Sequence, residues 1–144
     1  MLSASDHLER IEAQLASVTN AVVVESQTFV TPDDLLAEMQ LTLGYLKQYR
    51  LHVTLTVDTT YGYPAWMIYA FHFQDADDRT IFRYDNWPHH PGLPTFPHHK
   101  HVGGDEVVEA HAQPSVATIV REIAQHIDDE SGPRLTGTTG PYGR

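Results

Sequence analysis

The chain has 144 residues, 41% of them hydrophobic, which fits one domain of about 100–150 residues with a real core. It contains no cysteine, so disulfides, thiolate zinc centres and cysteine nucleophiles are excluded, and any metal must be held by His, Asp, Glu or backbone groups. Nineteen acidic residues against nine basic ones leave a net charge of −10, which argues against nucleic-acid binding through the whole surface, because phosphate affinity rests on Lys and Arg.

In chain order, residues 4–18 predict an amphipathic helix, with Leu8, Ile11, Leu15 and Val18 on one stripe and Ser5 as N-cap. The β-branched run "AVVVESQTFV" predicts a strand. In "TPDDLLAEMQLTLGYLKQY", Thr31, Pro32, Asp33 and Asp34 signal a short helical turn, after which Met39, Leu41, Leu43 and Tyr45 alternate as in a strand. "RLHVTLTVD" sets Leu51, Val53, Leu55 and Val57 on one face and His52, Thr54 and Thr56 on the other. After the turn "YGYP", "AWMIYAFHFQ" and "RTIFRYD" read as a hairpin closed at "DADD", with Trp66, Tyr69, Phe71 and Phe73 in the core. Residues 87–104 are too rich in Pro, Gly and His for regular structure over most of their length.

"EVVEAH" returns as a short strand, and "QPSVATIVREIAQHIDD" predicts a second amphipathic helix begun at Pro114 or Ser115. The sum is an α+β fold: an antiparallel meander of four to six strands packed with an N-terminal and a C-terminal helix. Residues 1–130 form its single domain, and the Gly/Pro-rich stretch 131–144 reads as a flexible tail. The N-terminal stretch has no apolar run like that of a signal peptide, and no stretch approaches the roughly 18–20 apolar residues of a membrane span. The expected location is the cytoplasm, with no membrane partner.

The chemistry concentrates in "PHHPGLPTFPHHKH", which places five histidines and four prolines in fourteen positions. From Arg79 to His101 three cations face one carboxylate, so this stretch is net +2 before any imidazole is protonated, on an otherwise acidic chain able to receive a basic partner. Histidine titrates near neutrality and is the commonest metal ligand. Arg83 and Asp85 share one side of an extended chain, as do His99 with His101 and His98 with Lys100, and each His-His pair can offer one ring to a site. The prolines stiffen the loop and reduce the entropy lost in holding these rings.

Three readings of these residues stand side by side. Cleavage of RNA needs an imidazole to take the 2′-hydroxyl proton, another to protonate the leaving oxygen, and Arg or Lys on the phosphoryl oxygens. His98, His99 and His101 can serve as acid and base, Arg83 and Lys100 on phosphate, and Asp85 to orient an imidazole, without a metal. Tyr84, Trp87 and Phe96 can stack on a base, and Asn86, His89, His90, His52 and His72 are further candidates to contact substrate. Alternatively, Asp85, His89, His99 and His101 hold a divalent metal such as zinc, with an open position for water if the site is catalytic, or the loop serves a non-enzymatic module that binds a metal or a partner protein. In the structural reading, Asp85 and Asn86 only shape a turn, Arg83 and Asp85 pair, and His52 and His72 are ordinary strand residues.

The stretch "FRYDNWPHHPGLPTFPHHKHVGGDEVVEAHAQPSVATIVREI", with the upstream strands "RLHVTLTVD" and "MIYAFHFQDADDRTI", resembles the TumE-like family of small bacterial and archaeal proteins over roughly residues 20–128. The shared positions are Arg83, Tyr84, Asp85, Asn86, His89, His90, His98, His99 and His101. The resemblance implies the toxin of a type II toxin–antitoxin pair, partnered by a small helix-turn-helix antitoxin; RNA as its substrate comes from the parts above. The chain departs from the pattern in Trp87, where a small residue is usual, and in its long N-terminal helix, which is a candidate for homodimer formation, and its long tail.

Overall fold

The structure is a computed structural model that describes residues 2–105 and 107–131; the tail expected from Ser131 lies, apart from Ser131 itself, outside the described residues. Helix α1 (Ala4–Leu15) starts on a capping box in which Ser3 Oγ accepts from the Asp6 N–H and the Asp6 carboxylate accepts from the Ser3 N–H. The cap is therefore Ser3, not Ser5, whose hydroxyl donates to Asp34. The helix ends at Leu15, short of Val18, because the chain turns at Ala16 and Ser17 Oγ donates to the Gln14 carbonyl.

Strands β1 (Val22–Val30), β2 (Leu36–Gly44), β3 (Arg50–Asp58), β4 (Ala65–Gln74), β5 (Thr80–Asp85), β6 (His99–Val102) and β7 (Val107–Ala110) follow, then α2 (Val116–Ser131). The seven strands pair in sequence order as an antiparallel meander, so the α+β expectation holds with one strand more than foreseen. The extra strand is β6, inside the stretch read as irregular. Residues 31–35 form a tight turn rather than helix: Asp33 accepts from the Thr31 hydroxyl and the Leu35 N–H, and Asp34 takes a φ of 55°. Ser115 Oγ accepts from the Thr118 N–H and caps α2.

Period-two alternation decides the core. Leu51, Val53, Leu55, Val57, Tyr69, Phe71, Phe73, Phe82 and Tyr84 are buried on one sheet face, under Leu8, Ile11 and Leu15 of α1 and Ile119, Ile123 and Ile127 of α2. Truncating one such ring, for example Phe73→Ala, costs about 3–5 kcal/mol. A register irregularity between Thr56 and Val57 turns Trp66 inward against Tyr69 and Phe71, as expected of a core ring, and leaves Met67 exposed. His126 packs edge-on against Tyr49 and Phe73, and His111 against Tyr84.

The apolar stripe of α1 is spent on its own sheet, so that stripe is not a surface for a second copy. No helix among the described residues is long and apolar enough to cross a membrane. With both helices on one side, the other sheet face is left for polar side chains.

Candidate functional site

Register aligns the site. Across the uncovered face the paired residues Thr42, His52, His72, Arg83 and His101 form one row from β2 to β6, and Asp85 with His99 forms part of the next. Because β6 pairs antiparallel with β5, His99 and His101 land beside Asp85 and Arg83, while Lys100 and Tyr84 project to the helix-covered face.

Asp85 is the centre, buried at 2% exposure. Its Oδ1 accepts from the Trp87 N–H at 2.9 Å and lies 2.9 Å from His99 Nε2; its Oδ2 lies 3.1 Å from Arg83 Nε and 3.5 Å from His101 Nε2. His99, 1% exposed, is held at its other nitrogen: Nδ1–H donates to the Pro97 carbonyl at 3.0 Å, and Nε2 stands 3.1 Å from His101 Nε2. His90 comes from the loop between β5 and β6, its ring centre 4.9 Å from that of His99 and 5.9 Å from that of His101. One nitrogen from each of His90, His99 and His101 falls within 4.8 Å of the other two.

Two carboxylate oxygens and two Nε2 atoms thus meet at 2.9–3.5 Å. Since Nδ1 of His99 already donates to a carbonyl, this contact is favourable only with a cation between the lone pairs, either a proton or a metal ion. The cluster is consequently a place that collects positive charge, and Arg83, whose side chain is 39% exposed, carries that charge to the surface.

The other expected site residues divide sharply. His89 is exposed beside Trp87, with ring centres 5.8 Å apart, so His90 takes the place considered for His89 in a metal shell. Of each His-His pair one ring joins the cluster. His98 stacks on Tyr69, whose hydroxyl shares a 2.9 Å hydrogen bond with His98 Nδ1; burial, then the neighbouring His99 charge, hold its imidazole below the ordinary histidine range. Lys100 donates to Glu122 at 2.8 Å and lies 4.8 Å over the Tyr84 ring. His98 and Lys100 therefore do not join His99 and His101 as acid and phosphate contact.

Tyr84 is buried and donates to Glu122 at 2.6 Å; burial, then that bond and that charge, push its phenol well above the usual range. It is closed to any base, whereas Trp87 and Phe96 are exposed. Asn86 is consumed by β4: its Oδ1 accepts from the Tyr69 N–H and its Nδ2 donates to the Met67 carbonyl, both at 3.0 Å. His52 meets Thr42 at 3.2 Å and His72 meets Thr80 at 2.8 Å, on the same face as Arg83.

Sequence reasoning missed Glu122 and Thr95. Glu122 precedes Ile123 of the α2 stripe, a position that signals a flank of the packed face and no more. Thr95 Oγ1 donates to the His98 carbonyl and accepts from the His111 N–H, pinning the loop, a role that no spacing announces.

A family model described as "Toxin TumE" matches residues 9–131. No curated protein and no solved structure matches the chain.

Proposed function

The chain belongs to the Toxin TumE family, the toxin side of toxin–antitoxin pairs, and from that premise we propose that it acts by cleaving RNA at the cluster of Arg83, Asp85, His90, His99 and His101. What carries the reading is the meeting of one guanidinium, one carboxylate and three imidazoles on the uncovered sheet face of an otherwise acidic chain. In such a cleavage the 2′-oxygen bonds to phosphorus as the bond from phosphorus to the 5′-oxygen breaks, one proton leaving the 2′-hydroxyl and one reaching the 5′-oxygen. Arg83 faces the phosphoryl oxygens, and the cation held by the cluster stabilises the charge that builds there. Trp87 and Phe96 offer exposed rings to neighbouring bases.

The antitoxin is inferred to be a small helix-turn-helix protein whose basic residues suit the chain's charge of −10. Incubating total RNA with tag-free protein, beside a His90→Ala/His101→Ala double variant checked to be folded, tests the reading. Breakdown by the parent and none by the double variant is expected. Equal breakdown by both, or intact RNA with the parent in buffers with and without divalent ions, sinks it.

A further inference from the structure

We propose that His90, His99 and His101, with Asp85 against them, bind a divalent transition ion of the zinc class. The proposal deepens the reading above by naming the cation that the cluster collects, and it rests on that reading only for the use to which the ion is put.

Distances argue first. Zinc–nitrogen bonds of about 2.0–2.1 Å at tetrahedral angles put neighbouring donors about 3.3 Å apart. The separations between His99 Nε2 and Asp85, His99 Nε2 and His101 Nε2, and His101 Nε2 and Asp85 are 2.9, 3.1 and 3.5 Å, on either side of that figure. Donor atoms of the three rings lie within 4.8 Å of one another, a gap an ion closes with small side-chain movements.

The surroundings argue second. A metal-binding imidazole usually donates its remote N–H to a carbonyl or carboxylate, which fixes the tautomer and points the other lone pair at the ion. His99 does this through Nδ1 to Pro97, and its Nε2 is the atom aimed into the cluster. Asp85 is fixed by the Trp87 N–H, and the Arg83 guanidinium pairs with it at 3.1 Å. An ordinary core histidine has no need of two further imidazoles and a buried carboxylate at its second nitrogen.

The donor set argues third. Three imidazoles and a carboxylate, with no thiolate in the chain, suit zinc, cobalt, manganese or iron and disfavour calcium and magnesium, which take all-oxygen shells. His99 and Asp85 are closed to solvent while His90 is half-buried and Arg83 reaches the surface, so the ion is approached from the side on which a phosphate would meet Arg83. Occupied this way, the imidazoles act as ligands rather than as acid and base, which replaces the metal-free chemistry expected from the residue list.

The test uses tag-free full-length protein stripped with EDTA, then titrated with Zn²⁺ by calorimetry and with Co²⁺ by visible absorption, with RNA cleavage measured on the same samples. Expected are uptake of about one ion per chain, Co²⁺ bands of a low-coordinate site, and affinity lowered at least about 10-fold by His90→Ala or His101→Ala and about 10–100-fold by Asp85→Asn, with His89→Ala unchanged. His99→Ala is the variant most exposed to misfolding, so the other three carry the result. No stoichiometric uptake, or equal losses in His89→Ala, overturns the site. RNA cleavage that persists in EDTA without bound metal overturns the ion's use in cleavage while leaving the nuclease reading standing. Stoichiometric metal binding without RNA cleavage upholds the site and defeats the nuclease reading instead.

Discussion

Along residues 98–101 the chain alternates between two environments built from nearly the same materials. His99 and His101 face the uncovered side, where Asp85, Arg83 and His90 crowd donors against acceptors around one small volume. His98 and Lys100 face the helix-covered side, where each meets one partner of the matching kind: the Tyr69 hydroxyl for the imidazole, the Glu122 carboxylate for the ammonium. A donor matched to an acceptor is what packing produces. A surplus of lone pairs around a buried carboxylate costs stability, and its persistence on one face only is the reason to place function there.

The largest effect that can break this comparison is on activity. Asp85→Asn keeps an oxygen for the Trp87 N–H but removes the charge around which the rings gather. We expect growth inhibition and RNA cleavage to fall by about 100-fold or more. His101→Ala, 14% exposed at its side chain, should match it, with the melting temperature moved only a few degrees. His99→Ala is a poorer probe than a loop substitution would be, since it strips a buried carboxylate of one of its two nearest partners, a loss of about 3–5 kcal/mol in comparable buried pairs. If Asp85→Asn and His101→Ala both remain as toxic as the parent, the uncovered face is not the site.

How much of this was legible depends on what each residue's fate required. The strand β3 was plain, because Leu51, Val53, Leu55 and Val57 need only alternation to declare an inner face. Strand β6 was not: "HKHV" lacks a run of β-branched residues and follows a proline-rich stretch, so its extended state comes from pairing Arg83 with His101 and Asp85 with His99 rather than from local preference. Alternation did separate His99 and His101 from His98 and Lys100. It could not say which pair would face the helices, since that is set by Phe82 and Tyr84 one strand away. Nor could it choose His90 over His89, whose fates differ only through the path of the loop above β6.

The next effect is on stability and belongs to the covered face. Lys100→Met keeps the stem over Tyr84 but leaves Glu122 with one partner fewer, and Glu122→Gln weakens two bonds at once. Each is expected to cost about 1–2 kcal/mol, read as a fall of about 3–8 °C in melting temperature, with cleavage per folded molecule unchanged. A loss of activity in Lys100→Met that exceeds its loss of folded protein would erase the division between the faces and restore Lys100 to the site.

The smallest effect sharpens the same division through pH. Tyr84 is held neutral in the folded state by burial, then by its bond to Glu122 and that group's charge, so its folded pKa lies above the unfolded value of 10.0. The unfolded chain therefore loses this proton first as pH rises. The contribution is complete below about pH 10 and is lost progressively as pH climbs from there toward the folded pKa. Tyr84→Phe removes the bond, costing about 1 kcal/mol at neutral pH, and also removes this tyrosine's share of the alkaline decline. Tyr45 and Tyr69, raised chiefly by their own burial, keep theirs. Denaturation midpoints at pH 7 and above pH 10 should accordingly converge between parent and variant as pH rises. Curves that stay parallel would mean that Tyr84 ionises in the folded chain as readily as in the unfolded one, and that Glu122 does not hold the covered face closed.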